Sequence, residues 1–208
     1  MSEKECDHHE GKSRRLLRLI FAVILILLFI CLVIFLITWA VLQPKKPQFV
    51  LQDATVYSLN VSAPNFVSST ISLTISSNNP NDHIGIYYDS LHVFATYQNQ
   101  QITFYTSIPP TYQETHEVNV WSPYIEGINV PVAPYNGLSL SQDAADGSIL
   151  LNINIGGRVR WRVGTLTTGD YHIDINCPAL ITFGSQSTGI IVGNAVKYQL
   201  VQSCSVSV

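Results

Sequence analysis

Charge is scarce in this chain: of 208 residues only 11 are Lys or Arg and 14 are Asp or Glu, 12% in all. A freely soluble domain carries about twice that fraction, so a mean hydropathy of +0.22 has to be concentrated somewhere. A basic excess is missing as well. Beyond Leu42 there are six cations (Lys45, Lys46, Arg158, Arg160, Arg162, Lys197) against ten carboxylates. Nucleic-acid binding needs a cationic face that displaces condensed counterions, and this acidic body has none to spare, so nucleic acid is excluded as a partner.

The linear signatures of catalysis are also absent. There is no phosphate-cradling G-x-x-x-x-G-K, no H-E-x-x-H and no C-x-x-C, and the serine-rich run Gly184 to Gly189 lacks the G-x-S-x-G spacing of a nucleophile elbow. His83, His92, His116 and His172 lie in separate runs, where single imidazoles read as surface or hydrogen-bonded residues. Cys6-Asp7-His8-His9-Glu10 gathers metal-capable groups on a short tail with no supporting shell, so it reads as a solvated tail. The chain is therefore not expected to be an enzyme or to hold a catalytic, cofactor or metal site.

What is present is one long apolar run. No charge falls between Leu19 and Leu42, a length that spans the hydrocarbon core as a tilted helix. Lys12, Arg14, Arg15 and Arg18 precede it, against only Lys45 and Lys46 after it, which places the N-terminus in the cytosol. A cleaved signal peptide is the competing reading. Its apolar region runs about 7–15 residues before a small-x-small site, and the segment here is longer, with Trp39 and Val41 around Ala40. The organisation expected is a cytoplasmic tail (1–18), a signal-anchor helix (19–42), a spacer (43–48) and an extracellular domain (49–208). The two lysines between Pro44 and Pro47 make the spacer short and stiff, so the domain should stay close to the bilayer. Cys6 is a candidate for acylation, which would sort rather than attach the chain.

Beyond Pro44 the apolar period is two. Ile71, Leu73 and Ile75 alternate with Ser72, Thr74 and Ser76; Ile149 to Ile155 and Tyr171 to Cys177 do the same. Turn residues separate the runs, among them Asn78-Asn79-Pro80-Asn81, Pro109-Pro110, Pro134-Tyr135-Asn136-Gly137 and Gly164 to Gly169. Leu138 to Ala145 alone keeps a helical stripe. The pattern predicts an all-β sandwich of seven or more strands. Cys177 and Cys204 are the only cysteines in this body, and outside the cytosol they are expected to bond, two separate buried thiols being the alternative. Asn60-Val61-Ser62 is the single glycosylation sequon.

Three runs carry a resemblance: Asn79-Pro80-Asn81 with Ile84-Gly85-Ile86-Tyr87-Tyr88-Asp89, Gly157 to Gly164, and Tyr171 to Pro178. Together they closely resemble the plant NHL proteins, the harpin-induced and non-race-specific disease-resistance-like members of the group 2 late embryogenesis abundant superfamily. The resemblance covers nearly the whole chain. It implies a fibronectin-III-like or immunoglobulin-like sandwich on a plant plasma membrane, linked to defence, the hypersensitive response and water stress. The same residues also have a plain physical role. Two asparagines around a proline make a stiff corner, and Tyr87 and Tyr88 point to opposite faces, one to the core.

Arg158, Arg160 and Arg162 share one side of a strand, with Val159, Trp161 and Val163 turned inward. The loop from Gly164 to Gly169 returns the chain beside them with His172, Asp174 and Asn176 on one face. Two readings stand: a solvated face in which Asp174 pairs with an arginine, or a docking stripe for anionic lipid or acidic cell-wall polysaccharide. The functional expectation is binding or scaffolding between membrane, wall and immune-signalling proteins. A dehydration-protective module without a specific partner is the alternative, and free strand edges leave a second copy open as a partner.

Overall fold

The computed structural model describes residues 7–41, 44–62, 65–183 and 187–208, with helix side chains described from 17 to 36. Cys6, the side chains of His8, His9, Glu10 and Trp39, and Ser185 lie outside the described residues. The chain forms two compact units, Met1–Gln43 and Pro44–Val208. The described residues of the first form one helix, α1 (Asp7–Val41). Its segment Leu17–Leu36 is long and apolar enough to cross a membrane, and none of it is buried in protein.

Among its described residues the second unit holds α2 (Pro134–Asp146) and fourteen strands: β1 (Gln48–Ser62), β2 (Phe66–Asn78), β3 (Ile84–Tyr97), β4 (Gln100–Gln101), β5 (Thr106–Ile108), β6 (Thr111–Gln113), β7 (Val118–Trp121), β8 (Tyr124–Pro131), β9 (Ser148–Val163), β10 (Leu166–Thr167), β11 (Tyr171–Thr182), β12 (Ile190–Val192), β13 (Ala195–Ser203) and β14 (Ser205–Ser207). A six-stranded sheet runs β12-β13-β1-β2-β7, with β8 also on β2. An eight-stranded sheet runs β14-β11-β9-β3-β4, with β10 on β9 and β5 and β6 on β3. All these pairings are antiparallel.

Alternation decides which face is buried. Ile71, Leu73 and Ile75 from one sheet meet Ile149, Leu151, Ile153, Ile155 and Val159 from the other in a single core, all essentially inaccessible. Each such side chain contributes roughly 1.5–3 kcal/mol on leaving water, which outweighs any surface pair described below. In β1 the simple alternation fails. Val56 and then Leu59 and Val61 turn inward because a bulge between Val56 and Ser58 shifts the register by one residue.

The Pro134 to Gly137 run, read as a turn, is the first turn of α2. Proline fits a helix start because its missing N–H has no partner there anyway, and the Asn136 amide donates to Gln100 Oε1 at 2.8 Å. The helix stops at Gly147, whose φ of 88° suits a residue without a Cβ. Tyr97 fastens it to β3 by donating to Asp143 Oδ2 at 2.5 Å. Burial, reinforced by that carboxylate, pushes the Tyr97 phenol up to about 12.

Cys177 on β11 bonds Cys204, which sits where the chain leaves β13 in one sheet and enters β14 in the other. The bridge thus ties the crossover to the eight-stranded sheet. Closing a loop of 27 residues stabilises the fold by about 3–4 kcal/mol in the chain-entropy picture.

Candidate functional site

The motif residues separate into two constructions. The first is the corner between β2 and β3. Asn79 is 0% exposed and uses all four of its amide's hydrogen-bonding positions. Its Nδ2 donates to Ile84 O at 2.8 Å and Glu114 O at 2.9 Å, while its Oδ1 accepts from Asn81 N at 3.1 Å and Asn81 Nδ2 at 2.8 Å. Asn81, 3% exposed, reaches in the other direction. Its Oδ1 accepts from Lys45 N at 2.7 Å and its Nδ2 donates to Lys45 O at 2.8 Å. The corner therefore grips the backbone just after Pro44, where the chain enters the sandwich. Outside it, Asp82 meets His116 at 2.9 Å and Lys45 Nζ at 4.0 Å, both exposed.

A buried polar set continues inward. Gln113, 0% exposed, donates to Ser77 O and Glu117 O at 2.8 Å each, and accepts from the Tyr88 hydroxyl at 2.8 Å. Burial raises the Tyr88 phenol far above its ordinary range, opposed by its hydrogen bond with Ser77. Tyr88 is thus the inward tyrosine, as its parity implies, and it stays a neutral donor. Gln113 and Ser77 carry no local sequence signal that would single them out.

The second construction lies on the outer face of the eight-stranded sheet, where Gly85, Tyr87 and Asp89 meet the arginine stripe. The rings of Tyr87 and Tyr112 lie against each other with centroids 4.3 Å apart, tilted by 34°. Tyr112 can lie there because Gly85 has no side chain; an added Cβ would come within 2.9 Å of the ring carbons. Arg162 sits 5.4 Å over Tyr112, and donates to the Tyr87 hydroxyl at 3.1 Å and to Gly164 O at 2.9 Å. Arg160 lies 5.6 Å over Tyr87 and forks onto Asp89, Nε to Oδ2 at 2.7 Å and Nη2 to Oδ1 at 2.6 Å. The Arg160 hydrogen bonds hold the Asp89 carboxyl below its usual range, against a smaller effect of burial. Arg160 and Arg162 are raised in turn, the first by Asp89 and the second by Tyr87.

The carboxylate expected beside the arginines was Asp174; the structure puts Asp89 there. The register sets Asp174 opposite Gly156, where it pairs with His172 at 3.5 Å. On the other flank, the bulge between Tyr88 and Ser90 turns Asp89 toward Arg160. Arg158 differs from its two neighbours: it is exposed, and among the described residues it makes no hydrogen bond or ion pair. Asn60 is exposed on β1 opposite Ser68, on the outer face of the six-stranded sheet. Among the described residues no three His, Cys, Asp or Glu side chains gather as metal ligands.

Comparison with known proteins gives the same picture from outside. A family model described as late embryogenesis abundant protein matches residues 74–178, a span that holds both constructions apart from Lys45. NDR1/HIN1-like protein 1 of Arabidopsis thaliana is 55% identical over 99% of this chain and 100% of its own length. NDR1/HIN1-like protein 12 of the same plant is 50% identical, covering all of both chains. NDR1/HIN1-like protein 26 is 40% identical over 76% of this chain and 74% of its own.

Proposed function

From the membership of this chain in the NDR1/HIN1-like group of late embryogenesis abundant proteins, we propose that it is a non-enzymatic, single-pass plasma-membrane protein of plant defence and stress responses. In this reading the first eighteen residues are cytosolic, α1 crosses the bilayer and the sandwich stands outside the cell, binding or scaffolding between membrane and wall. The observation that carries it is the Cys177–Cys204 bond in the same chain as a helix long and apolar enough to cross a membrane, with most of its flanking cations on the N-terminal side. A lasting disulfide belongs to an oxidising compartment, and the flanking charge points the C-terminal side there. Asn60, exposed on a strand, is then a glycosylation site.

A binding role rather than a catalytic one fits how the titratable groups are spent. Asp89 and Arg160 satisfy each other, Arg162 is held by Tyr87 and Gly164, and Asn79, Asn81 and Gln113 hold backbone groups. No polarised nucleophile or unopposed base appears among these residues. Partners in immune signalling are the expected readers of the tail or the sandwich.

Protease protection of sealed plasma-membrane vesicles, read with mobility after glycosidase treatment, tests this. Right-side-out vesicles should lose the sandwich to protease and keep the tail, and the glycosidase should shift wild type but not Asn60→Gln. A C-terminal tag reachable only from the cytosolic side overturns the reading.

A further inference from the structure

We propose that the outer face of the eight-stranded sheet, around an open trough at Gly156, binds one strand of an acidic polysaccharide whose sugar rings carry carboxylates. The inference rests on the extracellular placement above, and it names the ligand class for the wall-facing role.

The trough follows from register. His92, Gly156 and Asp174 lie in one row across β3, β9 and β11, all on the outward parity. A Cβ added at Gly156 would be in ordinary contact with Asp174 Oδ1, at 3.5 Å, and would meet nothing else within 4 Å, so β9 puts no side chain between the row of Arg158 and the row of Asn154, and the Asp174 carboxylate borders the gap. Along one side stand aromatic rings: Phe94 and Tyr105 meet edge to face at 4.8 Å, and His92 lies 6.4 Å from Tyr105. Such rings offer an apolar face to the C–H side of a pyranose. Along the floor the amides are already ordered, with Asn176 Nδ2 donating to Asn154 Oδ1 at 2.8 Å and Asn154 Nδ2 to Thr96 Oγ1 at 2.9 Å. Fixed polar groups beside aromatic walls cost little entropy when a sugar binds.

Charge selects the occupant. Arg160 forks onto Asp89 and Arg162 is held by Tyr87, so Arg158 is the guanidinium with donors to spare. Three carboxylates (Asp89, Asp170, Asp174) balance the three arginines of this face. A face with no net positive field attracts neither a bilayer nor a polymer by charge alone, so a ligand here has to be held by one directed fork together with the aromatic rings, and a bilayer surface offers those rings no pyranose to stack on. A polymer that places one carboxylate on Arg158 while its neighbouring rings lie on the aromatic wall matches the single free fork. The opposite outer face carries Asn60, and a glycan there would cover it.

The test is titration of the full-length chain in detergent micelles with a galacturonate oligomer free of ester groups, with its methyl ester and anionic phospholipid vesicles as rival probes. Wild type should bind the free acid, and Arg158→Ala and Gly156→Val should each weaken it about tenfold or more, with the wild-type melting temperature kept. The methyl ester should bind wild type no better than the free acid binds Arg158→Ala. Undiminished binding in both variants, equal binding of the ester, or no binding by wild type overturns the proposal. So does vesicle binding that Arg158→Ala abolishes, which would make the ligand a lipid headgroup. Because this assay uses purified chain, its failure leaves the vesicle topology result standing, and a reversed topology is read only in the vesicle experiment.

Discussion

The two halves of the N-P-N and I-G-I-Y-Y-D run use polar side chains in opposite ways. At the corner, Asn79 and Asn81 are buried and every amide group has a partner, most of them backbone. On the outer face, Tyr87 and Asp89 are half exposed and share their partners with water. A buried polar group left unpaired costs its full desolvation, whereas an exposed one finds water instead. The corner is therefore where this fold is most easily broken, and the arginine–tyrosine face is where residues can change with little effect on stability. That freedom is what a binding surface requires.

Asn79→Ala should be the most damaging change in the run. It strips partners from Ile84 O, Glu114 O and Asn81 N, and we expect a loss of about 3 kcal/mol or more in denaturant unfolding. A loss below that of the exposed-face variants would collapse the contrast. Asn81→Ala frees the Lys45 backbone as well, at about 2 kcal/mol, and it should open the Lys45–Lys46 peptide bond to trypsin in an otherwise folded chain, the Lys46–Pro47 bond staying resistant.

On the outer face, Gly85→Ala should cost about 1 kcal/mol, because only the ring of Tyr112 has to move aside. The readout is loss of tyrosine near-ultraviolet dichroism with the fold retained. Asp89→Asn should give the smallest shift of the series, and its pH dependence has a definite sign. A carboxyl held low in the folded state contributes stability above its unfolded value and loses it as pH falls through the lower folded value. The difference in melting temperature between wild type and Asp89→Asn should stay constant from neutral pH down to the ordinary aspartate range near about 4, then shrink. A difference that shrinks between pH 7 and about 5 would show that Asp89 is not held by Arg160.

Much of this was legible beforehand because it follows from local periodicity. Alternation identified the inward residues of β2, β9 and β11. The arginines, at spacing two, face outward together, and the Gly164 to Gly169 loop returns β11 beside β9 even though β10 forms within it. Legibility stopped at two kinds of place. Bulges break parity without any mark in the residues, as at Val56/Ser58 and Tyr88/Ser90. Partners far along the chain have no mark either: Asp89 lies 71 residues from Arg160, and Lys45 lies 36 from Asn81. Tyr112 and Gln113, which complete the two constructions, come from a short strand after Pro109-Pro110 that periodicity does not isolate.

The sequence alone decided that one segment can cross a bilayer, that the rest is a two-sheet protein, and which side of each regular strand is wet. All three follow from the solvent preference of neighbouring residues. The tertiary structure decided what each polar group holds: Asn81 the backbone of Lys45 and Arg160 the carboxylate of Asp89, while Arg158 has no hydrogen bond or ion pair among the described residues. Strand order is fixed by how the two sheets bury their apolar faces against each other, and only after that do distant side chains become neighbours.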